Sequence, residues 1–211
     1  MRISGGAARG IPLLVPKGDR VRPATDALRQ AVFSSLAARV PGARFLDLFA
    51  GSGAYGLEAL SRGAQSGVFV EKNPRALDCL RRNVAAVCKS LRRGAENLLV
   101  VPGDATIPFG STVARSNGLG TSRSTPDLIF VDPPYELIAR LAEPLFANLS
   151  AGLKAQPDAL VIFELPGGVE LAPAGWTQVN RLGGKGARTP NAAFFRLEVG
   201  RRVPTTPVGS E

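Results

Sequence analysis

The chain has 211 residues, of which 45% are hydrophobic and 20% charged, a composition typical of about one globular domain. Its 26 Lys and Arg residues outnumber 17 Asp and Glu residues, and the net charge of +9 favours a polyanionic partner through counterion release. The chain contains no histidine, which excludes Ser-His-Asp and Cys-His catalysis and every metal site that needs a histidine ligand.

Short segments of the sequence predict the cellular location of the protein and the redox state of its cysteines. No apolar run approaches the roughly 20 residues that cross a bilayer. The stretch MRISGGAARGIPLLVP has too short an apolar core for a signal peptide, so we expect a cytoplasmic protein with no membrane partner and no metal. Cys79 and Cys88 lie in one predicted helix, roughly 13 Å apart and too distant for a disulfide, so we expect both to be reduced.

Residues 1–23 form a predicted basic arm, in which the runs RISGG and IPLLVP are expected to pair as a small β-hairpin. A helix is predicted from about Asp26 to before Pro41, because Leu28, Val32 and Leu36 share one face. The first 30 residues concentrate positive charge, with six basic residues against Asp19 and Asp26: Arg2, Arg9, Lys17, Arg20, Arg22 and Arg29.

Residues 24–200 form the predicted main domain, in which strand-like runs alternate with helices. The strand-like runs are RFLDLF, SGVFVE, NLLVV, DLIFVD and ALVIFEL. This alternation indicates an α/β fold with a mostly parallel sheet covered on both faces. WTQVNRL and AAFFRLEV leave no room for a helix between them and predict a C-terminal antiparallel hairpin, for seven strands in all.

Helix boundaries and mobile segments complete the outline. AYGLEALSR is predicted to be a helix stopped by Gly63, and Asn73-Pro74 is predicted to cap and start the next helix. The helical stretch from Glu136 to about Leu153 is expected to break at Pro144. We expect the Gly- and Ser-rich segment 106–126 to be a mobile insertion and residues 201–211 to be a flexible tail.

The residues GSGAYG, 51–56, form a literal G-x-G-x-x-G after the first predicted strand. Such a loop turns tightly and directs backbone N–H groups at a nucleotide. Glu71 ends the next strand, 20 residues after Gly51, where a carboxylate accepts hydrogen bonds from two ribose hydroxyls. Nicotinamide and S-adenosyl-L-methionine enzymes share these features.

Charge separates the two cofactors. A pyrophosphate is unfavourable beside the carboxylate of Asp47, whereas S-adenosylmethionine carries a sulfonium and an ammonium. Asp104 is expected to accept from the adenine amino group, although Asp47 alone would also fit a strand-end cap. Together these features favour S-adenosylmethionine. Its predicted contacts are Asp47, Phe49, Ala50, Gly51, Gly53, Glu71, Lys72, Asp104 and Ala105.

The stretch Asp132-Pro133-Pro134-Tyr135 follows the fourth predicted strand at the same edge of the sheet. Two prolines stiffen the turn, which offers the Asp132 carboxylate and the Pro133 carbonyl as acceptors and Tyr135 as a stacking surface. Two acceptors that grip an exocyclic NH₂ favour a pyramidal nitrogen, with its lone pair aimed at a sulfonium methyl. The target base must leave its stack to enter such a site. The alternative is a simple strand-ending turn.

Four stretches of the chain resemble the bacterial small-subunit rRNA guanine-N2 methyltransferases that act on guanine 966 of 16S rRNA: RISGGAARG, RPATDALRQAVFSSL, LDLFAGSGAYGLEALSRGA with FVEKN, and DPPY. The resemblance implies a monomeric, Rossmann-like class I S-adenosylmethionine-dependent enzyme that acts on an assembling 30S subunit. It implies amine contacts at Asp132 and Pro133, and base stacking at Tyr135. The RNA contacts on the arm would be Arg9, Lys17, Arg22 and Arg29. The family usually has Thr, Arg, Glu and Asn where this chain has Ala24, Ala27, Gln30 and Ser34.

Four other functions stay open at this point. The first is a DNA or other RNA amino-methyltransferase acting on adenine N6, although the chain has no spare region for a sequence-reading domain. A protein glutamine methyltransferase would more typically carry Asn at the position of Asp132. The others are a non-catalytic RNA-binding assembly factor and a dehydrogenase.

Overall fold

A computed structural model describes residues 1–17, 23–106, 125–154, 156–184, 186 and 189–198 of the chain. Arg22, the tail 201–211 and most of the segment 106–126 lie outside these residues. Within the described part, no helix combines the length and the apolarity that a membrane span requires.

Seven strands form one sheet in the order β3-β2-β1-β4-β5-β7-β6. The strands are β1 Arg44–Leu48, β2 Ser66–Glu71, β3 Leu98–Pro102, β4 Leu128–Val131, β5 Leu160–Pro166, β6 Trp176–Gly183 and β7 Pro190–Leu197. Strands β1 to β5 run parallel, and β7 runs antiparallel to both β5 and β6. The predicted mixed sheet and its C-terminal hairpin are therefore confirmed. The strand order reverses between β1 and β4, which is where ligands bind in open α/β sheets.

Helices cover both faces of the sheet. Within the described residues they are α1 Pro23–Ser35, α2 Ala54–Ser61, α3 Pro74–Ser90 and α4 Ile138–Leu153. Helices α1, α2 and α3 share one buried core with Phe45, Phe69 and Phe130 of the strands. Helix α4 shares the other core with Val131 and Phe163. Because both faces are covered, β4 is buried along its whole length.

The helix signals around α3 and α4 had different outcomes. The Asn73 side chain accepts hydrogen bonds from the N–H groups of Arg75 and Ala76 at 2.9 and 3.3 Å, so the predicted cap is confirmed. The predicted break at Pro144 is wrong, since α4 continues through it. Pro144 is exposed, and water can bind the carbonyl that has lost its N–H partner.

The described part of the arm folds back on itself with less pairing than a hairpin of two strands. One isolated antiparallel bridge joins Arg2 to Pro12, and the Ile3 N–H donates to the Ile11 carbonyl at 3.0 Å. Ile3 and Leu13 are buried in the core formed with α1, α2 and α3. The arm is therefore packed onto the sheet domain along its apolar side.

Candidate active site

A cleft of about 690 Å³ lies at the carboxyl ends of β1, β2, β4 and β5. It brings together eight of the predicted cofactor and catalytic residues from four segments, Phe49, Glu71, Lys72, Ala105, Asp132, Pro133, Pro134 and Tyr135. Arg29, which was predicted as an RNA contact, also lines the cleft, as do Met1, Tyr55 and Glu164. The cleft volume is in the range of pockets that bind small ligands and cofactors.

The glycine loop between β1 and α2 is held in a left-handed conformation. Gly51 has φ +54° and Gly53 has φ +87°, values that side-chain-bearing residues rarely adopt. A Cβ atom on Gly53 would lie 2.6 Å from Cδ1 of Leu80 on α3. Gly53 is therefore required both for the turn and for its close approach to α3.

Phe49 precedes the glycine loop and lines the cleft with an unusual backbone. Its φ is 61°, one of two positive values at non-glycine residues in the described chain. Such a conformation costs on the order of 1–3 kcal/mol and is concentrated at functional sites. The adjacent Ala50 N–H donates to the Val70 carbonyl at 2.9 Å, which holds this segment against β2.

Glu71 ties the glycine loop to the end of β2. Its Oε2 accepts from the Gly51 N–H at 2.7 Å, and its Oε1 accepts from the N–H groups of Lys72 and Asn73 at 2.8 and 2.7 Å. A carboxylate offers about four lone-pair sites, so about one remains for a ligand. Glu71 thus combines a structural task with an acceptor facing the cleft.

Asp47 lies outside the lining of the cleft. It is 2% exposed, and its Oδ2 accepts from the Gly56 N–H at 2.8 Å in the first turn of α2. Burial raises the pKa of Asp47 to about 7, against the Gly56 hydrogen bond, and the charge of Glu71 raises it further. In this geometry Asp47 connects the end of β1 to the first turn of α2.

Four of the other predicted cofactor residues also lie outside the lining of the cleft. Ala50, Gly51, Gly53 and Asp104 are not among the lining residues, although Gly103 and Ala105 beside Asp104 are. Asp104 accepts from the Thr106 N–H at 3.0 Å and pairs with the Lys72 ammonium at 3.1 Å. These two contacts lower the pKa of Asp104, with the Thr106 bond the larger cause.

The DPPY turn forms one side of the cleft. Asp132 is exposed to the cleft, Pro133 is buried, and Tyr135 is half-buried. The carbonyl of Pro134 accepts from the Leu137 N–H at 2.9 Å, which starts the 3₁₀ turn Tyr135–Leu137. The DPPY turn is therefore fixed on both sides, by β4 before it and by the 3₁₀ turn after it.

Glu164 and Tyr55 are cleft residues that the sequence analysis missed. Glu164 is 3% exposed on β5, and its Oε2 accepts from the Tyr55 hydroxyl at 2.8 Å. Its Oε1 lies 3.5 Å from the Tyr135 hydroxyl. A carboxylate near the carboxyl end of the apolar run ALVIFEL was the available signal for Glu164, and Tyr55 stood inside the glycine motif.

The acidic groups of the cleft influence each other's charge. Desolvation within the cleft walls raises the pKa of Asp132 well above its usual range, and the charges of Glu164 and Asp47 raise it further. Burial raises the pKa of Glu164, against the hydrogen bonds from Tyr55 and Tyr135. Arg29 opposes both shifts. Because both carboxyls are negative when ionised, each one favours protonation of the other.

Arg29 does not have the surface position expected of an RNA contact. It is 3% exposed, its Nη2 donates to the Arg2 carbonyl at 3.0 Å, and it pairs with Asp26 at 3.0 Å. It also lines the cleft. Its guanidinium therefore holds the arm and faces the carboxylates. Arg9 and Lys17 are exposed on the arm.

Two buried polar side chains hold the arm against the sheet domain. Glu58 of α2 is 0% exposed and accepts at 2.7 Å from both the N–H and the hydroxyl of Ser4. Asn83 of α3 accepts from the Leu14 N–H at 2.8 Å and donates to the carbonyls of Leu14 and Ser52, each at 2.9 Å. Asn83 thus joins the arm to the glycine loop.

Known proteins share both the sequence and the fold. A family model described as conserved hypothetical protein 95 matches residues 1–186. Ribosomal RNA small subunit methyltransferase D of Escherichia coli (strain K12) is 33% identical over 182 residues, 84% of this chain and 81% of that protein.

Two solved structures extend the comparison. One, described as putative methyltransferase yhhF from Escherichia coli, has 30% identity and a TM-score of 0.71, over 95% of this chain and 99% of that one. SMU.776, a putative methyltransferase complexed with SAH, has 12% identity and a TM-score of 0.59, over 85% of this chain and 52% of that one, and shares the fold. The sequence and family matches confirm the resemblance to bacterial small-subunit rRNA methyltransferases, and the chain belongs to the conserved hypothetical protein 95 family.

Proposed function

We propose that the protein is a cytoplasmic, monomeric S-adenosylmethionine-dependent methyltransferase. Its substrate is 16S rRNA in an assembling 30S subunit, and its target is the exocyclic N2 amine of one guanine, the counterpart of guanine 966. The observation that carries the proposal is the meeting of the DPPY turn with the glycine-loop edge in one cleft, where Asp132 and Glu71 both line the wall. Kinship with ribosomal RNA small subunit methyltransferase D supports the choice of rRNA.

The cleft fits S-adenosylmethionine chemically. The edge formed by β1 and β2 contributes Phe49, which offers apolar surface, and Glu71, which retains an acceptor site. The Glu71 carboxylate also puts negative charge at this edge of the cleft, which suits a cationic ligand better than a pyrophosphate. When bound, S-adenosylmethionine supplies an electrophilic methyl group on a sulfonium.

The residues of the chain supply positioning. The Asp132 carboxylate and the Pro133 carbonyl accept the two hydrogens of the target amine, while the Tyr135 ring stacks on the base. Because the two prolines and the 3₁₀ turn hold this corner rigid, the amine meets its acceptors with little reorganisation. Orientation of this kind contributes on the order of 7–11 kcal/mol in well-aligned systems, and no histidine base is needed.

RNA docking would use the exposed basic residues of the arm. Arg2, Arg9 and Lys17 are exposed there, and the arm also reaches the cleft through Met1, Val15 and Pro16. Phosphate contacts by such residues set position and orientation, while the cleft selects the base. Arg22 is part of this proposal and lies outside the described residues.

The test is to map the methylated nucleotide. Undermethylated 30S particles are incubated with labelled S-adenosylmethionine, and the rRNA is digested and analysed by mass spectrometry. We expect N2-methylguanosine at one position of 16S rRNA with the wild-type protein. N6-methyladenosine would instead identify an adenine methyltransferase, and particle binding without methyl transfer would identify an assembly factor; either result overturns the proposal.

A further inference from the structure

Asp132 and Glu164 occupy neighbouring positions at the carboxyl ends of β4 and β5. Val131 of β4 is paired with Phe163 of β5 in parallel register, so Asp132, which directly follows β4, is next to Glu164 of β5 in that register. Adjacent strands are about 4.8 Å apart. Both residues line the cleft.

The two side chains point to the same face of the sheet. Val131 and Phe163 belong to the core beneath α4, whereas Phe130 and Ile162 belong to the core beneath α1, α2 and α3. Since side chains alternate along a strand, the residues after Val131 and Phe163 point to the opposite face, toward the core beneath α1, α2 and α3. The hydrogen bond from Tyr55 of α2 to Glu164 agrees with this direction.

Glu164 has acceptor capacity that the contacts of the protein leave unused. Its carboxylate is 3% exposed and forms no salt bridge with any described residue. Its hydrogen bonds come from the hydroxyls of Tyr55 and Tyr135. A carboxylate has about four lone-pair sites, so about two remain for a ligand in the cleft.

Base edges differ in what stands next to the reactive amine. In guanine the N2 amine is beside N1–H, a second donor. In adenine and cytosine the exocyclic amine is beside a ring nitrogen that accepts. Enzymes that flip a base read this Watson–Crick edge by hydrogen bonds. In their ionised forms, which the charge of Arg29 favours, two adjacent carboxylates match a donor–donor edge and leave an unpaired acceptor against the other two amino bases.

We propose that Glu164 selects guanine: its carboxylate accepts the N1–H of the target while Asp132 accepts from the N2 amine. Tyr55 and Tyr135 hold the Glu164 carboxylate in place through their hydroxyls. This inference rests on the proposed function and adds a specificity-determining residue to it.

The test replaces the target guanine with 2-aminopurine, which keeps the 2-amino group and has an acceptor at N1. A synthetic RNA segment carrying either base is ligated into 16S rRNA and assembled into particles. For the wild-type protein, we expect kcat/KM to be roughly 10- to 100-fold lower with 2-aminopurine, the range for loss of a good base contact. Equal rates with the two bases would overturn the inference while leaving methylation of guanine intact.

The variant Glu164→Gln tests the residue itself. Its amide can donate to N1 of 2-aminopurine, so we expect the guanine preference to shrink by about tenfold or more. S-adenosylmethionine affinity, measured by calorimetry, should be unchanged. The control Glu170→Gln alters an exposed carboxylate outside the cleft and should keep the wild-type preference. An unaltered preference in Glu164→Gln would overturn the role of Glu164, whereas a wild-type protein inactive on guanine would overturn the proposed function instead.

Discussion

Glu58 on α2 accepts two hydrogen bonds from Ser4 in the arm, one from the Ser4 backbone N–H and one from its hydroxyl, each at 2.7 Å. The same carboxylate accepts from Nε of Arg62 at 2.8 Å and lies 3.8 Å from Nε of Arg29. A fully buried carboxylate thus accepts hydrogen bonds from Ser4 of the arm and Arg62 after α2, with the guanidinium of Arg29 as a nearby charge. This cluster fixes the arm where Met1 can reach the cleft.

Loss of this carboxylate should destabilise the fold. Glu58→Ala leaves the buried guanidinium of Arg29 and the Ser4 donors with fewer partners, so we expect the free energy of unfolding to fall by about 2–4 kcal/mol. Urea denaturation measures the change. Glu143→Ala alters an exposed carboxylate of α4 and serves as the control. A loss below about 0.5 kcal/mol for Glu58→Ala, the level of ordinary surface substitutions, would contradict this account.

Asn83 should matter for the cofactor although it is not among the residues that line the cleft. Asn83→Ala removes the bonds to Leu14 and to the Ser52 carbonyl in the glycine loop, so the loop loses a support. We expect S-adenosylmethionine to bind about 3- to 10-fold more weakly, equivalent to roughly one net hydrogen bond. Calorimetry measures the affinity, and Arg82→Ala on the exposed side of α3 is the control. Equal affinities for the two variants would remove Asn83 from this role.

The glycine loop permits a matched pair of substitutions. Gly53→Ala combines φ +87° with a Cβ 2.6 Å from Leu80, whereas Gly10→Ala has φ +90° and nothing within 4 Å. Both changes carry the backbone cost of about 1–2 kcal/mol, and only the first adds overpacking of about 1–3 kcal/mol. Thermal or urea unfolding should therefore rank Gly53→Ala as the less stable variant. The opposite ranking would mean that the packing between the loop and α3 is misplaced.

Asp47 should make stability depend on pH. Its folded pKa is about 7, above the ordinary value of 3.8, so the folded state binds its proton more tightly than the unfolded state does. The stabilisation is complete below about pH 4 and is lost as the pH rises through about 7. From pH 5 to 7, the wild type should lose on the order of 2 kcal/mol more than Asp47→Asn, which cannot ionise. Urea titrations at both pH values test this, and parallel pH profiles would rule it out.

Local signals predicted much of the fold and part of the site. Asn73 before Pro74 marks a helix start by itself, and alternating strands and helices are sufficient to indicate the parallel sheet. DPPY after β4 lies in the cleft because carboxyl ends of parallel strands share one edge. The break predicted at Pro144 was wrong because the effect of a proline on a helix depends on whether it is exposed to solvent, and the sequence pattern does not show that.

Contacts between distant segments were beyond the reach of those signals. Arg29 was predicted as an RNA contact from the family resemblance, and its burial depends on the arm folding over α1. Asn83 meets Leu14 across 69 residues, and Tyr55 meets Glu164 across 109. Each of these contacts depends on which helix packs over which strand end. The residues next to each partner in the sequence do not reveal that arrangement.

The most direct test of the central claim separates binding from methyl transfer at Asp132. Asp132→Ala removes the acceptor for the target amine and leaves Glu71 and the glycine loop in place. Single-turnover transfer to undermethylated 30S particles should fall by at least about 100-fold, as for loss of a key polar contact to the reacting group. S-adenosylmethionine affinity, measured on the same preparation by calorimetry, should stay within about twofold of the wild type, since a twofold change is only about 0.4 kcal/mol. Transfer at the wild-type rate by Asp132→Ala would contradict the assignment of this carboxylate to the target amine.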